Sequence, residues 1–255
     1  MSIEVHMFWA YGNISNLEKI CINSFMHQGY TVNLWTYGDI SNAPAGTKIR
    51  DGREIVPESR VYFWRNKSYA CFSDLFRYAV LRRLGGLYAD TDVIALIPSG
   101  ELPKKSFLVS ERTDTSIRAM VRSFAGLLLG AKRPRINNNL IFCAEPKPGD
   151  IIDLAHAISD RFPVEKMEWG DIGPNLISIL ANEYPEVSYE IKDPDFANPV
   201  DWWDCPTKLL EPNLAIPATA AFLHCYSGRW GIAGVDRNST FPKGSLMATF
   251  GERYL

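Results

Sequence analysis

Two aspartates one residue apart, Asp90 and Asp92, lie in Leu87-Tyr-Ala-Asp-Thr-Asp-Val93, where a short apolar run breaks into a turn. Carboxylate oxygens at that spacing can hold a hard divalent cation such as Mn2+ or Mg2+. A cation there can clamp a diphosphate and neutralise the charge that grows on it as it leaves. By itself an Asp-x-Asp pair equally describes two turn aspartates facing water. Upstream, Asp74 and Arg77 are three residues apart and share one helix face with Ala70, Tyr78 and Leu81. A charge pair in a partly apolar stripe must be well hydrogen-bonded to be tolerated. Sugar hydroxyls both donate and accept, so a carboxylate beside a guanidinium suits them. The ordinary alternative is a surface helix salt bridge, which is worth little.

The elements that must position these groups read as an α/β layer. Glu4 to Phe8 is a β-prone run, Ile14 to His27 has a mostly helical apolar spacing ended by Gly29, and Thr31 to Thr36 alternates. The chain therefore opens β-α-β. It has no Gly-x-Gly-x-x-Gly after the first strand and no P-loop motif, which argues against a dinucleotide or P-loop site. Ser41 to Pro57 reads as loop. A strong helix follows over Ser68 to Leu84, with Arg82 and Arg83 suiting its negative end and Gly85-Gly86 stopping it. Leu87 to Ala89 is a short strand and Val93 to Ile97 an apolar run. Further helices are expected over Asp150 to Phe162 and Asn175 to Ala181. Residues 193 to 220 show no period. No repeat, low-complexity segment or linker is visible, so residues 1–255 are expected to form a single domain.

The run Ser68-Tyr-Ala-Cys-Phe-Ser-Asp74-Leu-Phe-Arg77-Tyr-Ala-Val-Leu-Arg-Arg-Leu-Gly85-Gly86-Leu-Tyr88-Ala-Asp90-Thr-Asp92-Val resembles the glycosyltransferases with a DXD sugar-binding region. These family 32-like enzymes include the initiating α-1,6-mannosyltransferase, capsular polysaccharide sugar transferases and the clostridial glucosylating toxin catalytic domain. The shared pattern is Ala-x-x-Ser-Asp-x-x-Arg-Tyr, a spacer, Gly-Gly-x-Tyr and Asp-x-Asp, and the close match covers residues 68 to 98. Weaker matches are Val5-His6-Met-Phe-Trp9, Asn137-Asn138-Asn139-Leu-Ile, Gly173-Pro174 and His224-Cys-Tyr-Ser-Gly-Arg-Trp230. The toxins lack that histidine as a ligand, so His224 is less well supported than Asp92.

The resemblance implies a GT-A fold, a Rossmann-like nucleotide-binding sheet with flanking helices, and a retaining transfer. Asp92 would be a direct metal ligand and His224 a second. Asp90 would contact ribose, sugar or metal. Asp74 and Arg77 would hold the sugar's hydroxyls, with Tyr88 beside them. Trp9 would lie near the nucleotide base, and Trp230 in a C-terminal lid over the diphosphate. Asn138 ranks above its neighbours as a catalytic candidate. His6 and Trp9 could equally be core, and Trp202-Trp203 either an acceptor groove or a loop anchor. The donor is a nucleotide sugar, with UDP-sugars favoured over GDP-mannose. The acceptor is a hydroxyl on a glycan, lipid-linked sugar, protein or other molecule.

Composition bounds the rest. An apolar share of 46% is ample for a core, and a net charge of -2 gives no footprint for nucleic acid as partner. The short basic run Lys132-Arg133-Pro134-Arg135 reads as a solvated loop. The five cysteines are scattered and contain no Cys-x-x-Cys, which points to a reducing, cytoplasmic setting. No signal peptide is visible, and Phe124 to Gly130 is too short to span a bilayer. Two rival readings stay open at this level. One is an aspartyl-phosphate phosphohydrolase with Asp90 as nucleophile; only Leu87-Tyr-Ala precedes it, where that class has a long apolar strand. The other is a sugar-nucleotide-binding module without turnover.

Overall fold

The computed structural model describes residues 3–65, 68–113, 134–184 and 189–255. The Phe124–Gly130 stretch and Lys132-Arg133 lie outside them. The opening unit is β1 (Glu4–Phe8), α1 (Asn16–His27) and β2 (Thr31–Thr36), with β1 and β2 parallel. Local chemistry sets the start of α1. Ser15 and Glu18 form a capping box in which the Ser15 amide donates to Glu18 at 2.9 Å. The helix then buries Leu17, Ile20, Cys21, Ile22 and Phe25 on one face of the sheet. Next come β3 (Lys48–Asp51), α2 (Ala70–Leu84), β4 (Gly86–Ala89) and β5 (Val93–Ala95). The first of these is a correction to the expected loop: residues 48–51 pair parallel to β2 at the sheet edge. All four are exposed, so this strand has no hydrophobic alternation to betray it. The helix α2 starts two residues later than expected.

The central sheet has seven strands in the order β3-β2-β1-β4-β7-β6-β8, completed by β6 (Phe107–Glu111), β7 (Arg135–Cys143) and β8 (Glu190–Lys192). Strands β3, β2, β1 and β4 run parallel, and β7 is antiparallel to both β4 and β6. The parallel half is the α/β layer expected from the β-α-β opening. Helices α3 (Ile151–Ser159) and α4 (Pro174–Glu183) pack with α2 over one face, where Phe72, Phe76, Tyr78, Val80, Ile152 and Ile177 form the core. The chain ends through α5 (Thr207–Leu210), β9 (Phe222–His224), α6 (Ser227–Ile232) and α7 (Leu246–Tyr254). Strand β9 pairs antiparallel with β5 in a separate two-stranded sheet, with Val93 opposite His224. That pairing carries the far end of the chain to the Asp-x-Asp turn.

Candidate functional site

The turn after β4 is held from below. The Asp90 amide donates to the Asn139 carbonyl at 2.8 Å, and the Val93 amide to the Asp90 carbonyl at 3.1 Å. Chain direction thus reverses abruptly and places both carboxylates at the carboxyl end of a parallel strand, where open α/β sheets bind their ligands. From β9, His224 brings its Nε2 to 3.3 Å from Asp92 Oδ1. The Ser227 amide, first in α6, donates to Asp92 Oδ2 at 2.6 Å. Burial favours a protonated Asp92, but His224 and the Ser227 amide outweigh it and hold the carboxyl below its ordinary range. Asp90 is the open member, with a side chain 28% exposed. Its surroundings and the neighbouring Asp92 charge raise it to about 6 against the pull of Arg77. One ligand atom from each of Asp90, Asp92 and His224 lies within 4.8 Å of the others. Two carboxylates and an imidazole are an oxygen-rich borderline donor set, which suits Mn2+ or Mg2+. These residues therefore fit the implied cation.

Beside the triad, α2 delivers Arg77 and Asp74, one turn apart and both buried. Arg77 Nη2 is 3.0 Å from Asp90 Oδ1 and 3.1 Å from Asp74 Oδ1, and its guanidinium lies 4.9 Å over the Tyr88 ring. It also donates to the Asn138 carbonyl. That carbonyl is free because the β6–β7 register shifts between Leu108 and Val109, leaving 138–140 out of the β6 ladder. Burial opposes the charge on Arg77, but Asp90 and Asp74 outweigh it and hold the cation more firmly than usual. Burial raises Asp74, with Arg77 and Asn138 pulling the other way.

The structure brings together Asp74, Arg77, Asp90, Asp92 and His224. It moves three expected contact residues into supporting places. Asn138 donates to Asp74 Oδ1 at 2.8 Å and to the Tyr78 hydroxyl at 3.3 Å, so it orients that acid from within the core. Tyr88 is 1% exposed beneath Arg77. Trp230 is the clear correction: it is 0% exposed, its indole N–H donates to the Cys225 carbonyl at 2.8 Å, and it packs on Phe241. It anchors α6 rather than covering the cleft, because an indole with a satisfied N–H gains most by full burial. Trp9 is partly buried at the end of β1, with its N–H on the Gly12 carbonyl. His6 is core: Trp35 donates to its Nδ1 at 3.2 Å, and burial lowers it to about 4. Trp202 lies edge-to-face with Trp203 and under the Arg229 guanidinium, in keeping with a loop anchor.

Gly173, the residue before α4, closes this pocket. A β-carbon there would sit 2.4 Å from Asp74 Oδ2. Gly173→Ala is expected to push Asp74 off Arg77 and to cost about 1–3 kcal/mol. Denaturant unfolding alongside donor titration checks both effects; unchanged stability and binding would show that the contact yields freely. A concavity of about 540 Å³ elsewhere, lined by Ile3, Trp35, Leu84 and Phe142 with Glu4 and Arg50, does not include any member of the triad.

The family model described as "Glycosyltransferase sugar-binding region containing DXD motif" matches residues 16–108, which include α2 and the Asp90-Thr-Asp92 turn. This chain carries a glycosyltransferase DXD region. Solved glycosyltransferases are similar to it at low identity. PaToxG is 21% identical over 73% of this chain and 70% of its own, with a TM-score of 0.49. GlyE of Streptococcus pneumoniae is 14% identical, over 100% of this chain and 60% of that one, at 0.47. An active-site mutant of LgtC is 11% identical over 87% and 86%, at 0.45. No curated protein sequence matches. The chain that carries the DXD region is a mixed α/β protein, and among its described residues no helix is long and apolar enough to cross a membrane.

Proposed function

We propose that this glycosyltransferase is a single-domain, metal-dependent enzyme that moves a sugar from a nucleotide-sugar donor to a hydroxyl acceptor with retention. The observation that carries the proposal is the convergence of Asp90, Asp92 and His224 beside the buried Arg77–Asp74 pair. Asp92 and His224, with Asp90, would hold Mn2+ or Mg2+, which supplies charge neutralisation for the departing diphosphate. Asp74 offers a carboxylate oxygen to sugar hydroxyls, held in place by Asn138 and backed by Gly173. Arg77 opposes the burial that raises both Asp74 and Asp90, which lowers the cost of holding two carboxylates side by side in the pocket. In an oxocarbenium-like displacement the acceptor attacks the face that the nucleotide leaves, and the departing phosphate takes its proton. UDP-sugars are the favoured donors, with GDP-mannose the alternative. Five buried, unpaired cysteines suit a reducing compartment such as the cytoplasm.

Incubation with Mn2+ and a panel of UDP- and GDP-sugars, followed by assay of free nucleoside diphosphate, tests this reading. Release from one donor that EDTA abolishes and Mn2+ restores is the expected outcome. No release together with no metal-dependent binding of any sugar nucleotide would sink it.

A further inference from the structure

His224 has an unusual setting for a metal ligand. Its Nε2 faces Asp92, while its Nδ1 is buried with no hydrogen-bond partner among the described residues. Ligating histidines are normally fixed by a hydrogen bond at the second nitrogen. Here something else must set the ring plane, and Tyr226 is in place to do it. Its ring lies against the imidazole, with centroids 3.8 Å apart and planes at 35°. To reach that position its backbone adopts the left-handed conformation, φ 49 and ψ 58, which is uncommon for a bulky residue and clusters at functional sites.

The far end of the tyrosine is also held. Its hydroxyl donates to Asn198 Oδ1 at 3.3 Å. Asn198 is 1% exposed, and its Nδ2 donates to the Ser110 carbonyl at 3.1 Å, which fixes which way the amide points. The same Oδ1 accepts from Asn139 Nδ2 at 3.2 Å. Asn139 in turn offers its main-chain carbonyl to the Asp90 amide. One line of contacts therefore runs from the Asp90 turn through Asn139, Asn198 and Tyr226 to the His224 ring. It ties together two parts of the triad that come from distant segments of the chain.

We propose that Tyr226, anchored through Asn198 and Asn139, is a positioning residue that aims His224 at the cation. The proposal rests on the metal reading of the triad. Tyr226→Gly is the informative variant, because glycine keeps the left-handed turn without strain and removes only the ring. Tyr226→Phe keeps the ring and removes the anchor. Mn2+ affinity is measured on the metal-free protein by electron paramagnetic resonance of free Mn2+, with the melting temperature recorded beside it. Tyr226→Gly is expected to weaken Mn2+ binding by about 10- to 100-fold, and Tyr226→Phe by less. In the His224→Ala background, Tyr226→Gly is expected to add little, because the ring it orients is already gone. Unchanged Mn2+ affinity in Tyr226→Gly, or a loss that adds in full to that of His224→Ala, overturns the proposal while leaving the metal site standing. Failure of the unmodified protein to bind Mn2+ overturns both.

Discussion

Asp92→Ala is expected to lower Mn2+ affinity and nucleoside diphosphate release by about 100- to 1,000-fold, with a much smaller effect on stability. The size follows from what Asp92 does alone. One of its oxygens lies 3.3 Å from Nε2 of His224, and the other fixes the amide at the start of α6. Its carboxyl is held ionised, so the full negative charge is present for a cation at any ordinary pH. Fold effects stay small because the main-chain links survive: the Cys225 amide still reaches the Asp92 carbonyl, and β5 still pairs with β9. Asp92→Asn separates charge from shape, since it keeps an oxygen to face Ser227. Donor release and calorimetry on both variants check this. An alanine variant that releases diphosphate at the rate of the unmodified protein would remove Asp92 from the site.

Arg77→Met is expected to damage the fold as well as the chemistry, by about 3–5 kcal/mol. Arg77 is 3% exposed and faces two acids from a single nitrogen while spanning α2, β4 and β7. Removing it leaves the buried Asp74 and the half-buried Asp90 as neighbouring carboxylates without their guanidinium, and takes the partner from the Asn138 carbonyl. Uptake of a proton by one acid limits the loss, since burial already raises both. For a domain of this size the cost corresponds to a fall in melting temperature on the order of 10 °C. Combining Arg77→Met with Asp74→Asn should cost less than the sum of the two single changes, because the second removes the charge that the first stranded. Differential scanning calorimetry gives the answer. Full additivity would mean that the pair does not interact as its 3.1 Å separation implies.

Residue order by itself determined the local half of the site. Asp74 and Arg77 could be put on one face because helical periodicity is a nearest-turn property, and the stop at Gly85-Gly86 was legible because both residues must take positive φ, at 66° and 85°. The Asp-x-Asp turn and the β-α-β opening follow from equally short-range signals, whereas the close approach of Gly173 to Asp74 does not. The edge strand β3 escaped because an exposed strand carries no alternation. The division of the asparagines was settled by tertiary structure. The pleat of β7 sends Asn138 to Asp74 and its two neighbours to the opposite side, toward Glu111 and Asn198, so all three are supports from within the core. Resemblance placed His224 near Asp92, yet only the β5–β9 register shows why it is there, and only packing shows Tyr226 behind it. Trp230 turned from lid to anchor for the same reason: burial depends on which distant segments close around a side chain, and spacing along one segment carries no record of that.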